Sequence, residues 1–157
     1  MIEPEPHALD AEEMALWQAF LQAAILSLDG LNRALSELDL TLEDYEILVY
    51  LSEAEDRQLA MSDLADRTLS AKSRLTYRVD RLERAGFVER VRCDRDGRRV
   101  WATLTPQGFA MLEKAWPTHL ASVRRLVVEP VDDGDVAAAT RALAEMTKAI
   151  RAAKCDE

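Results

Sequence analysis

The chain has 157 residues, 29 of them acidic and 20 basic, with a net charge of −9 and 48% hydrophobic residues. So large an apolar share excludes an intrinsically disordered chain, and the length suits one domain or two small lobes sharing a core. Two cysteines, Cys93 and Cys155, are too few for a disulfide framework or a cysteine-based zinc site, and His7 and His119 are too isolated to form a metal motif, so no metal or cofactor is expected. No uncharged apolar run reaches the roughly 20 residues of a bilayer-spanning helix. The acidic start MIEPEPHALDAEE lacks the basic and then apolar character of a secretion signal. The expected location is the cytoplasm, with no membrane partner.

Residues 1–10, with Pro4 and Pro6, read as a flexible tail. Trp17, Phe20, Leu21, Ala24, Leu28, Leu31, Leu35 and Leu38 recur by threes and fours, which predicts one long helix over 11–40 with a single apolar stripe. Thr41 and Asp44 have the spacing of a capping box, opening a second helix that carries Tyr45, Leu48 and Leu51. Ser62 is the expected cap of a short third helix bearing Leu64 and Ala65. Ser70 is the expected cap of a fourth, which runs to Ala85 and stops at Gly86.

After Gly86 the period changes. Phe87 to Cys93 and Arg98 to Leu104 predict two strands, joined through Asp94-Arg95-Asp96-Gly97 as a hairpin. Thr105 followed by Pro106 is an N-cap and first-turn proline, and the helix they open passes Pro117 with a kink, because Leu120, Val123 and Leu126 keep the spacing. Glu129 to Gly134 is a break, and Ala137 to Ala153 forms a last helix with Leu143, Met146 and Ile150 on one face. The expected class is mostly α with a small β-hairpin wing. A winged helix-turn-helix spans 41–105, flanked by an N-terminal helix over 11–40 and C-terminal helices over 106–157.

Charge is distributed unevenly over this plan. Residues 67–99 carry 11 basic and 5 acidic side chains, a net +6 that leaves −15 on the rest of the chain. On a 100° wheel of the fourth helix, Leu75, Val79 and Leu82 share a narrow inward sector, whereas Ser73, Arg74, Tyr77, Arg81 and Arg84 lie opposite. Arginine pairs bidentately with guanine O6 and N7, serine bonds to base edges or phosphate, and tyrosine contacts a phosphate or thymine methyl. Ser70, Lys72 and Arg78 extend this surface, and the helix N-terminus favours a phosphate. A hairpin tipped by Arg95, Arg98 and Arg99 suits the negative potential of a narrow minor groove, with Asp96 pairing an arginine to hold it extended. The expected partner is double-stranded DNA. The alternative is a winged-helix interaction module whose arginine face binds an acidic protein. Neither a nucleophile triad, a phosphate loop nor a metal cluster is visible, so no catalytic residue is expected.

The segment LADRTLSAKSRLTYRVDRLERAGFVERVRCDRDGRRVWATLTPQG resembles the MarR family of bacterial transcription regulators. The resemblance rests on Leu64-Ala65, on Val79-Asp80-Arg81-Leu82-Glu83 with Gly86 and Val88, and on Asp96-x-Arg98 before Leu104-Thr105-Pro106-x-Gly108. It implies a symmetric dimer built from the terminal helices and a recognition helix in the major groove. It further implies a wing whose Arg98 enters the minor groove, braced by Asp96, and repression relieved by a small molecule or by cysteine oxidation. A dimer also follows from the terminal apolar stripes, and from a single reading helix covering too few base pairs for specificity; two related by a two-fold axis read a pseudo-palindromic operator.

In this resemblance ligands lie between the dimer region and the winged domain. Trp17, Phe20, Tyr45, Trp116 and His119 are the candidate lining residues, suited to a small aromatic or amphipathic anion. The peroxide-sensing branch of the family uses a cysteine near the start of the first long helix, a position where this chain has none. Arg92 and Arg95 beside Cys93 would favour a thiolate in the wing.

Overall fold

A computed structural model describes residues 8–92 and 100–153. Of the positions singled out above, Pro4, Pro6, His7, Cys93, Asp94, Arg95, Asp96, Gly97, Arg98, Arg99 and Cys155 lie outside the described residues. The chain divides into two compact units, one up to His119 and the other from Leu120.

In the first unit, α1 (Ala11–Ser36) starts at a capping box. The Asp10 carboxylate accepts the Glu13 N–H while Glu13 accepts the Asp10 N–H, each at 2.9 Å. By length and composition this helix is apolar enough to cross a bilayer. Its uncharged run, Met14 to Leu28, is nonetheless only 15 residues, short of the roughly 20 a span requires. Helix α2 (Leu42–Glu53) opens at the predicted Thr41–Asp44 box. It is tied to α1 by the Leu42 N–H, which donates to Asn32 Oδ1 at 2.9 Å.

A single 3-10 turn, Glu55–Arg57, leads into a strand that the sequence reading missed, β1 (Gln58–Ala60). Three residues are too few for an alternating pattern to register. Helices α3 (Met61–Arg67) and α4 (Lys72–Arg84) follow, then β2 (Val88–Arg92) and β3 (Val100–Leu104). The sheet is antiparallel in the order β1-β3-β2, with Leu59 opposite Ala102 and Val88 opposite Leu104.

Both predicted serine caps are corrected. The residue before α3 is Ala60, which makes no side-chain cap, and Ser62 sits inside the helix with its hydroxyl on Asp63. The residue before α4 is Ala71, and the Ser70 hydroxyl turns back to the Thr68 carbonyl at 3.3 Å. The α3–α4 turn is instead closed by backbone bonds, Thr68 N–H to Leu64 O at 3.0 Å and Ser70 N–H to Ala65 O at 3.2 Å. These place Leu69 at φ +52°, exposed.

The core gathers Leu35, Leu48, Leu51, Leu64, Leu75, Val79, Leu82, Val88 and Leu104. Leu75, Val79 and Leu82 are each no more than 2% exposed. Burial contributes about 1.5–3 kcal/mol per such side chain, more than the ~0–1 kcal/mol of a surface ion pair. The apolar stripe therefore fixes the rotation of α4. The helix ends as predicted, with Gly86 at φ +76°.

Helix α5 (Pro106–Val123) begins at Thr105, whose hydroxyl accepts the Gly108 N–H at 3.0 Å and donates to the Gly86 carbonyl at 2.7 Å. Gly108 is buried, and a Cβ there would lie 2.0 Å from the Phe87 carbonyl oxygen. The helix continues through Pro117, as the spacing predicts. In the second unit it passes into a π-helical turn, Arg124–Val128, before α6 (Val136–Ala153). No residue of α6 is buried; Val136, Leu143 and Ile150, seven apart, are 40%, 50% and 56% exposed.

Candidate nucleic-acid interface

The inward stripe turns the opposite side of α4 to solvent. Lys72, Ser73, Arg74, Tyr77 and Arg84 are exposed there, Tyr77 by 60%. Among the described residues Lys72 and Arg84 have no ion-pair partner. Arg74 has only Glu43 at 3.8 Å, with both side chains well exposed, a contact weak enough for a phosphate to replace. Ser73, Arg74, Tyr77 and Arg84 form a surface with hydroxyl, phenol and cationic groups along one helix face, with Lys72 beside it in the first turn, and both phosphates and base edges accept from such groups.

Two of the expected reading arginines are engaged elsewhere. Arg78, with a side chain 21% exposed, pairs with Glu43, donates to Thr41 Oγ1 at 3.2 Å and lies 3.8 Å from Asp44 Oδ1. Arg81 lies 3.0 Å from Asp44 Oδ2 and donates to the Asp39 carbonyl at 2.5 Å. Asp44 is fully buried. Its Oδ2 also accepts the Thr41 N–H at 2.9 Å and the Thr41 hydroxyl at 2.7 Å. A buried carboxylate needs such compensation, so these arginines brace α4 against the start of α2. Sequence reading missed Glu43, Asp44 and Asp39 as their partners, since a helical wheel treats one helix at a time.

The acids of the basic segment have a comparable use. Arg90 on β2 pairs with Asp80 and, at 2.9 Å, with Glu83, and its guanidinium donates to the Thr76 carbonyl at 3.1 Å. Asp80 and Glu83 therefore fasten the sheet to α4. Once Arg78, Arg81 and Arg90 are matched with their acids, the cations left on α4 are Lys72, Arg74 and Arg84, all exposed, with Arg67 exposed at the end of α3.

A separate cavity of about 280 Å³ opens in the first unit between α2 and α5. Tyr45, Trp116 and His119 line it, as expected from sequence; Trp17 and Phe20 do not, and face each other at 6.3 Å on α1. The Tyr45 and His119 rings lie 4.2 Å apart. Tyr45 Oη and His119 Nδ1 are buried with no hydrogen-bond partner among the described residues. Burial raises the Tyr45 phenol above its ordinary value and lowers the His119 imidazole, which favours neutral forms of both.

Comparison with known proteins agrees with this architecture. The sequence pattern of the MarR family matches residues 38–99. The chain is 36% identical to AbsC, a MarR family transcriptional regulator from Streptomyces coelicolor, whose crystal structure superposes with a TM-score of 0.88 over 93% of this chain and 99% of that one. It is 33% identical to Sco3205, from the same organism and solved in complex with DNA, with a TM-score of 0.85 over 95% and 91% of the two chains. Among relatives compared by sequence, the repressor YetL of Bacillus subtilis is 33% identical over 89 residues, 57% of this chain and 53% of its own length.

Proposed function

Because the chain belongs to the MarR family of transcriptional regulators, we propose that it is a homodimeric, sequence-specific DNA-binding repressor, released from its operator by a small aromatic or amphipathic effector. The family consists of regulators rather than enzymes. The observation that carries the reading is the exposed surface of α4, where Lys72, Ser73, Tyr77 and Arg84 make none of the ion pairs that hold the helix and Arg74 has only a long, exposed contact to Glu43. Sco3205, 33% identical, was crystallised with DNA, and YetL is named a repressor.

In this mechanism α4 enters the major groove and Arg74 reads a base edge, while Lys72 and the uncapped start of α4 meet phosphate. Arg98 of the wing enters the adjacent minor groove with Asp96 bracing it, and Arg95 and Arg99 meet the backbone. Two protomers, joined through α1 and α6, set two reading helices about 10 bp apart on a pseudo-palindrome. The exposed apolar stripes of those helices favour this pairing. The acidic remainder of the chain is repelled by phosphate and limits non-specific binding.

The test is fluorescence anisotropy with duplexes recovered by selection from random DNA. A palindromic duplex bound as one dimer, with affinity falling as salt rises, is the expected result. Equal affinity for the scrambled duplex would remove the claim of specificity.

A further inference from the structure

The α2–α5 cavity has a chemistry that its position alone does not suggest. Glu46, Val49, Tyr50 and Glu53 recur by threes and fours, so they form one stripe of α2, facing Trp116 and His119 one turn apart on α5. Two of these residues are carboxylates, and none of the described lining residues is lysine or arginine. His119 is the single basic group, and burial holds its imidazole toward the neutral form. An anion entering here would meet Glu46 and Glu53 with no cation to receive it. The aromatic side chains of Tyr45, Tyr50 and Trp116 line the cavity beside these acids, and aromatic rings together with carboxylates attract organic cations.

We infer that this cavity takes a small organic ammonium cation, with its charge on the Glu46 carboxylate, its apolar body among the Tyr45, Tyr50 and Trp116 rings, and Glu53 at the rim. The assignment deepens the regulated-repressor reading and rests on it for its biological meaning. It replaces the anion expected from sequence. Tyr45 Oη and His119 Nδ1, buried in the wall and unpartnered among the described residues, become acceptors for the N–H groups of a protonated amine once the rings turn toward it. A volume of about 280 Å³ is at the small end for ligand sites, which limits the guest to one ring and a short chain.

Isothermal titration of the full chain with three isosteric probes tests this: 2-phenylethylammonium, 2-phenylethanol and phenylacetate. The ammonium should bind once per chain, at least about tenfold tighter than either of the others. Glu46→Gln should weaken the ammonium by about tenfold and leave the alcohol unchanged. Trp116→Leu, at a half-exposed position that tolerates replacement, should weaken the ammonium severalfold and serves if the Glu46 variant fails to fold. Equal or tighter binding of phenylacetate would overturn the inference. So would no ammonium binding at millimolar concentration, or an ammonium affinity indifferent to both substitutions. Operator binding measured without probe separates the two claims: a chain that grips its operator and ignores the ammonium refutes the ligand class and leaves the regulator reading intact.

Discussion

Asp44 and Arg81, 37 positions apart in sequence, meet at 3.0 Å, and the same carboxylate closes the capping box that starts α2. One buried acid thereby sets both where α2 begins and how α4 is held. The exposed arginine of α4 and its braced neighbours should consequently respond differently to mutation.

Arg74→Ala should weaken operator binding by about 1–3 kcal/mol, the cost of losing a base-reading arginine, and leave the urea midpoint unchanged. Arg81→Ala should destabilise the fold by up to about 3 kcal/mol, the lower edge of the range for a broken buried pair, because Arg81 itself is partly exposed. The double variant Asp44→Asn with Arg81→Ala should lose less than the two single losses added together. Urea unfolding beside anisotropy separates the effects. An Arg81→Ala protein of undiminished stability that fails to bind DNA would make Arg81 a reading residue after all.

This division shows where sequence reading reaches and where it stops. Periodicity located α1, α2 and α4, and the Thr41–Asp44 spacing placed a cap, because those signals act within one or two turns. The inward positions of Leu75, Val79 and Leu82 followed from the same short-range logic. The roles of Arg78 and Arg81 depend on Glu43 and Asp44 across the packed interface of two helices, and no wheel of α4 contains them. The Ser62 cap failed because α3 starts one residue earlier and leaves Ser62 inside the helix, and the Ser70 cap failed because the Leu64 and Ala65 carbonyls accept backbone N–H groups that close the α3–α4 turn. Tyr45, Trp116 and His119 were found as a cavity wall by residue type, but the wall's charge comes from Glu46 and Glu53, which as exposed-looking acids on α2 gave no sign of facing a cavity.

The dimer prediction rests on the seven-residue spacing of Val136, Leu143 and Ile150 on α6. Replacing both Leu143 and Ile150 by Glu places charge in the proposed interface. Sedimentation equilibrium at micromolar concentration should then show monomers where the parent chain shows dimers, and operator affinity should fall because the two reading helices are no longer paired. Dimers that survive the double substitution would move the interface off α6.

Acid and base should act on stability in opposite senses through one cavity. Burial, with a smaller push from Glu43, raises Glu46 above its ordinary 4.5. The folded chain holds that proton more tightly than the unfolded chain, so this stabilisation is complete below pH 4.5 and is lost as pH rises through the raised value. His119, lowered by burial from 6.5, contributes fully above that pH, and its contribution is lost as pH falls toward the lowered value. Urea midpoints across this range should show Glu46→Gln gaining over the parent at neutral pH and converging with it in acid. A gain of the same size at every pH would disconnect the effect from ionisation.

The wing gives a prediction whose sign discriminates. If Asp96 braces Arg98, Asp96→Ala frees the arginine, raises its ordering cost on binding and weakens operator affinity, although a negative charge near DNA has been removed. Arg98→Ala should reduce the slope of log affinity against log salt by about one ion. Tighter binding by Asp96→Ala in an anisotropy titration would reduce Asp96 to a residue of the hairpin turn.

The close approach of Gly108 to the Phe87 carbonyl carries over to the gene. Every other amino acid brings a Cβ, and at 2.0 Å from a backbone oxygen that atom has no room that a side-chain rotation could provide. The glycine codons differ among themselves only in the third base, so codon 108 is free to drift at that base, and any amino-acid change from its first two bases has to move the start of α5 away from the Phe87 carbonyl that precedes β2.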